Sequence, residues 1–203
     1  MKYAERPAAG DADGALVLFH GRGTDEYDLL GLLDELDPER RLDGYCPRGP
    51  LALPPGGAHW YAVSRVGYPD PPTFAQGFAA AAGFVDGLKH ERIVLGGFSQ
   101  GAVMALSVGL GEGRPRPRAI VAFSGFIPEV EGWSLGGEPW PAIAIGHGSL
   151  DEIIPVEFAH RARDGLVAAG ATVLYRESLM GHAIDPSFVR DLRPFVRTAA
   201  IFS

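Results

Sequence analysis

The chain has 203 residues, with 28 glycines and 17 prolines; these make up roughly 22%, below the roughly 25–30% of low-complexity chains, which argues against disorder or a collagen-like repeat. Eighteen basic against 25 acidic residues leave a net charge of −7. With no basic run of five or more, this argues against nucleic acid and anionic membrane surfaces as partners. Cys46 is the only cysteine, so neither an intramolecular disulfide nor a cysteine-rich zinc motif can form. Charged residues occupy the start where a signal peptide would be apolar, and no apolar run approaches the roughly 20 residues needed to span a bilayer. The expectation is one soluble, cytoplasmic domain over residues 1–203.

Taken in chain order, residues 15–19 (Ala-Leu-Val-Leu-Phe) read as a buried strand, and a weaker strand falls at 42–46. Residues 47–57 and 67–72 are rich in proline and glycine and read as loops. Thr73 is placed to cap a helix reaching about Lys89, with Phe74, Phe78, Ala81, Ala82, Val85 and Leu88 on one face. A strand at 92–95 precedes Ser99 and a helix of small apolar residues. Residues 112–117 read as a loop, 119–123 as a strand, and 129–139 as an excursion carrying Trp133. After a strand at 142–145, Pro155 opens a helix that Gly170 closes. A strand at 172–175 and a helix from Pro186 towards Thr198, with Phe188, Val189, Leu192, Phe195 and Val196 inward, complete the series. Near-continuous hydrophobicity in the strands is the mark of parallel strands covered on both faces, so the pattern predicts an α/β fold.

Gly97-Phe98-Ser99-Gln100-Gly101 lies between a strand and the small-residue helix. This Gly-x-Ser-x-Gly turn lifts the serine hydroxyl above the sheet edge, at a helix N-terminus that favours developing negative charge. The alternative is a glycine-rich turn that only packs a helix on a strand. The glycine spacing does not give Gly-x-Gly-x-x-Gly, which removes a dinucleotide loop.

His20-Gly21-Arg22-Gly23 follows the first strong strand. A loop there can donate one backbone N–H to an oxyanion, and the residue after the serine donates another. The expected donors are the amides of Arg22 and Gln100. A phosphate cradle is the competing reading, but the chain holds no Gly-x-x-x-x-Gly-Lys. His20 is read as a brace for this loop.

Two further loops follow strands. One carries His147-Gly148-Ser149-Leu150-Asp151, the other Gly181-His182. Loops beyond the C-terminal ends of parallel strands share one edge of a sheet, so Ser99, Asp151 and His182 can converge. Serine needs a base to remove its proton, and the imidazole needs a carboxylate to hold its tautomer. Glu152 and Asp185 compete for the acid role. Of the other histidines, His147 is read as shaping the acid loop, His90 and His160 as lying on solvated helix faces, and His59 as lying in a loop. Trp60, Tyr61 and Phe126 are candidates to line a substrate pocket, with core packing as the alternative. Gly21, Gly23, Gly96, Gly97, Gly101, Gly146, Gly148 and Gly181 all fall in these loops and the elbow.

The ordered motifs His-Gly-x-Gly, Gly-Phe-Ser-Gln-Gly, His-Gly-x-x-Asp-x-x-x-Pro and Gly-His resemble the phospholipase/carboxylesterase family of small α/β-hydrolases, which includes acyl-protein thioesterases and bacterial carboxylesterases. The resemblance runs from Leu16 to about Val196. His59-Trp60-Tyr61-Ala62 stands where many members carry Ser-Trp-Phe-Asp, and Arg22 stands where many carry leucine. The resemblance implies an α/β-hydrolase fold, with a mostly parallel sheet between helices and no large cap domain. It also implies hydrolysis of small-molecule carboxylic esters by Ser99, His182 and Asp151, without cofactor or metal, in a monomer or homodimer. Thioesterase or lysophospholipase activity, acyl transfer, and a non-catalytic binding module are the alternatives.

Overall fold

The computed structural model describes residues 1–201. Seven strands form one sheet: β1 (Tyr3–Arg6), β2 (Ala15–Phe19), β3 (Asp43–Pro47), β8 (Ile93–Phe98), β9 (Ala119–Phe123), β10 (Ala142–Gly148) and β11 (Val173–Ser178). Their spatial order is β1-β3-β2-β8-β9-β10-β11. β1 runs antiparallel to β3, and the other neighbours are parallel.

The sheet is covered on both faces because its central strands are apolar on both. In β2, Val17 and Phe19 join one buried cluster with Leu95, Ile120, Ala122, Ile143 and Ile145. Leu16 and Leu18 join the other with Val94, Val121, Phe123 and Ala144. On the first face lie α2 (Pro71–Asp86), α3 (Gln100–Leu110) and α4 (Glu157–Ala168); on the second lie α1 (Leu30–Leu36) and α5 (Pro186–Ile201). Every residue of α3 is buried, as expected for a central helix with no polar side. The inward face of α5 contains Phe188, Val189, Leu192 and Val196, all buried, with Phe195 packed at its margin. Burying one such side chain stabilises the fold by roughly 1.5–3 kcal/mol.

Several boundaries differ from the sequence expectation. β8, β10 and β11 each run about three residues past their predicted ends, because glycines and polar residues at the sheet edge are paired by neighbours that a local pattern does not reveal. β1 is an unpredicted short edge strand, alternating exposed and buried. Within and between the loops expected at 47–57 and 67–72 lie two hairpins, β4 (Leu51–Leu53) with β5 (Gly57–His59) and β6 (Val63–Arg65) with β7 (Tyr68–Pro69). The cap of α2 is Asp70, not Thr73: the Asp70 carboxylate accepts the Thr73 N–H at 3.1 Å and the Thr73 hydroxyl at 2.6 Å. Pro155 precedes α4 rather than opening it. Gly170 closes α4 at φ +93°, with the Ala171 N–H on the Leu166 carbonyl at 2.9 Å, the left-handed C-terminal cap that favours glycine. His90 lies beyond the end of α2, 3.3 Å from the Asp43 carboxylate, rather than on a helix face.

Candidate active site

Ser99 links β8 to α3 with φ 55° and ψ −120°. For a residue with a side chain this backbone costs of order 1–3 kcal/mol, and it persists only where the surroundings enforce it. Here the Ser99 N–H donates to the Phe123 carbonyl at 2.9 Å, and its own carbonyl accepts the Val103 N–H at 3.2 Å. Gly97 and Gly101 flank the turn. A Cβ on Gly97 would lie 2.5 Å from the Gly101 carbonyl group, and one on Gly101 would overlap the Phe19 backbone. Gly101→Ala is therefore expected to lower the urea midpoint by the equivalent of about 1–3 kcal/mol or more; an unchanged midpoint would show that the turn can relax.

His182, in the loop after β11, reaches Ser99 Oγ with Nε2 at 3.0 Å. Its Nδ1 is 2.7 Å from Asp151 Oδ2. A carboxylate only accepts, so Nδ1 carries the proton and Nε2 is left free to accept from the serine hydroxyl. Asp151 lies in the loop after β10 with a fully buried side chain, and its Oδ1 accepts the Ile153 and Ile154 N–H groups at 2.9 Å each. Burial pushes its carboxyl up, but the Ile154 amide, His182 and the Ile153 amide outweigh that and hold it below the ordinary 3.8. The Phe98 ring packs 4.7 Å from the His182 ring.

The two competing acids are placed elsewhere. Glu152 is exposed. Asp185 accepts from the Ser178 hydroxyl at 2.6 Å and from the Ser187 hydroxyl and N–H at 2.7 Å each. These bonds hold its carboxyl down at about 2 and commit it to the start of α5.

The loop after β2 lies against the elbow, since a Cβ on Gly21 would stand 3.7 Å from Ser99 Cβ. His20 braces it by donating from Nδ1 to the Gly21 carbonyl at 2.7 Å and accepting the Gly49 N–H on Nε2 at 2.9 Å. The Gly23 N–H is taken by the Ala58 carbonyl at 2.8 Å. Among the described residues, the N–H groups of Arg22 and Gln100 have no such acceptor. Backbone N–H groups without an acceptor can serve an oxyanion.

Trp60, Tyr61 and Phe126 are 0, 2 and 4% exposed and belong to the core cluster. Their rings pack on Phe19, Phe74 and Phe158 respectively, which is the core-packing alternative rather than an open pocket lining. The Trp60 indole donates to the His20 carbonyl at 2.9 Å. The Gln100 side chain joins the same support, accepting the Trp60 N–H at 3.0 Å and donating to the Tyr61 carbonyl at 2.8 Å. No local sequence pattern points to this support, because its partners lie about 40 residues apart. Leu150, Ile153 and Leu179, close in sequence to Asp151 and His182, are exposed at 60, 60 and 86%. Among the described residues no cluster of three His, Cys, Asp or Glu could hold a metal, and no helix is long and apolar enough to cross a membrane.

Burial lowers the pKa of both His20 and His147 from the ordinary 6.5. Between the folded and unfolded values the unfolded chain binds more protons, so stability rises with pH there. The melting temperature is expected to fall as pH drops from about 6.5 towards about 5, with these groups contributing no slope above about 7.5. A melting temperature that rises on acidification over that range would contradict their burial as neutral imidazoles.

A family model described as phospholipase/carboxylesterase matches residues 6–200. Among curated proteins, acyl-protein thioesterase 1 of Emericella nidulans is 30% identical over 122 residues, covering 54% of this chain and 48% of that protein. Its counterpart in Saccharomyces cerevisiae is 31% identical over 118 residues, covering 55% and 51%. The matched stretch thus spans about half the length of each relative. Acyl-protein thioesterase 1 of Yarrowia lipolytica aligns over 79% of both chains at 24% identity. Of solved structures, esterase PE8 superposes with a TM-score of 0.80 at 27% identity, covering 97% of this chain and 98% of that one. The Bacillus cereus carboxylesterase gives 0.85 at 23%, covering 98% and 94%, a likeness of fold.

Proposed function

The chain belongs to the phospholipase/carboxylesterase family, and on that premise we propose that it is a serine hydrolase of carboxylic esters with small to medium acyl groups. The observation that carries this reading is the imidazole of His182 set between Ser99 Oγ at 3.0 Å and Asp151 Oδ2 at 2.7 Å. In the proposed cycle Ser99 Oγ attacks the acyl carbon as its proton passes to His182 Nε2. The amides of Arg22 and Gln100 hold the oxyanion, each such donor contributing about 10²–10³ in rate. Asp151 stabilises the imidazolium, which then protonates the leaving alcohol. Water that gives its proton to the same nitrogen releases the acid.

One feature supports modest acyl size. The rings of Trp60, Tyr61 and Phe126 are committed to the core. Leu150, Ile153 and Leu179, close in sequence to Asp151 and His182, are exposed and are the candidates to meet an acyl chain. Thioester cleavage is the second reading, favoured by the relatives named acyl-protein thioesterase. A panel of p-nitrophenyl esters from acetyl to palmitoyl, run beside matched thioesters, separates the two. The proposal expects kcat/KM to peak at short or medium chains on oxygen esters. A steady rise to palmitoyl, or a preference for thioesters, would replace it.

A further inference from the structure

His147 is buried, 3% exposed, and takes no part in the cycle above. It lies in β10 opposite Glu177 of β11, and its Nε2 is 2.7 Å from the Ile154 carbonyl oxygen. A carbonyl only accepts, so Nε2 carries the proton. The other ring nitrogen, Nδ1, is buried without a partner among the described residues. Burial lowers the pKa of the ring, against the Ile154 carbonyl and the charges of Asp151 and Glu177, which favour the protonated form, and the Ile154 carbonyl fixes the tautomer.

That N–H also stands 3.4 Å from Asp151 Oδ2, the oxygen that receives His182 Nδ1–H. Meanwhile the Ile154 N–H donates to Asp151 Oδ1 at 2.9 Å. Ile154 is therefore held at both ends: its carbonyl by His147 and its amide by the acid. The imidazole of His147 closes a ring through Ile154 that orients the carboxylate, and its N–H, donated to the Ile154 carbonyl, lies 3.4 Å from the oxygen facing His182.

We infer that His147 is a positioning residue for Asp151, fixing the carboxylate through Ile154. The inference rests on Asp151 serving as the acid of the proposed cycle. Its effect belongs in kcat rather than KM, because His147 touches neither substrate nor serine.

The test compares His147→Gln, His147→Asn and His147→Leu with the wild type and with Asp151→Asn, on p-nitrophenyl acetate, with thermal melting of each protein. Glutamine places an N–H donor where Nε2 stands and should keep kcat close to wild type. Asparagine is too short to reach Ile154, and leucine has no donor. Both should lose about 10-fold in kcat, the scale of a hydrogen bond serving a charged group, with KM unchanged. Equal kcat for the Gln and Asn variants overturns the inference even if the leucine variant fails to fold. So does a leucine variant that melts lower but turns over like wild type, while Asp151→Asn is crippled. Full activity in Asp151→Asn would instead remove the acid assignment on which the inference stands.

Discussion

Ser99→Ala is expected to remove about 10⁶ from kcat, the scale seen when a triad nucleophile is deleted. The loss follows from chemistry rather than folding. Ser99 Oγ has one described partner, His182 Nε2 at 3.0 Å, and the elbow is held by backbone bonds to Phe123 and Val103 that alanine retains. Alanine also tolerates φ 55° about as well as serine, so the variant should melt close to wild type. A fluorophosphonate probe should label the wild-type chain once, at Ser99, and leave the variant unlabelled. Labelling of the variant, or p-nitrophenyl ester turnover near wild type, would sink the nucleophile assignment.

The second large effect is expected at Asp151. Asp151→Asn should cost about 10⁴ in kcat, the scale of a wrong histidine tautomer. The surroundings dictate which way the amide would turn. Oδ1 receives two backbone N–H groups, from Ile153 and Ile154, so the asparagine carbonyl must occupy that side. Its NH₂ then faces His182 Nδ1, which can only accept from it. The proton moves to Nε2, and the imidazole can no longer take one from Ser99. Glu152→Gln, at an exposed neighbour, should leave kcat near wild type. If the glutamine variant proved the more damaging, the acid would have been assigned to the wrong residue.

How much of this was legible beforehand depends on how local each cause is. The apolar runs at 15–19 and 119–123 matched their strands residue for residue, because strands buried on both faces need no alternation and so stand out from the loops beside them. The elbow glycines could be located because the clash they avoid lies within a few residues and the backbone of the adjacent strand. The cap of α2 shows the limit. Asp70 and Thr73 both have capping side chains, and only the backbone geometry shows that the aspartate accepts while the threonine donates.

The site divides along the same line. Ser99, Asp151 and His182 could be placed on three separate loops from the motifs and the order of strands, since a parallel sheet brings such loops to one edge. The roles of Trp60, Tyr61 and Gln100 could not. An aromatic side chain reads alike in a core and in a pocket, and the bonds from Gln100 to the 60–61 backbone span about 40 residues of chain. His147 is the sharpest case: its spacing from Asp151 is visible as a motif, but which nitrogen is protonated depends on the Ile154 carbonyl and on burial.

The sequence by itself thus determined the α/β class, the elbow and the loops that hold Asp151 and His182, because hydrophobic patterning and glycine sterics act over a few residues. Only the tertiary structure decided which aromatic rings went into the core, which acid was free to face His182, and what held that acid in place. Those outcomes rest on hydrogen-bond direction and desolvation, which arise when segments distant in the chain are brought within about 3 Å of one another.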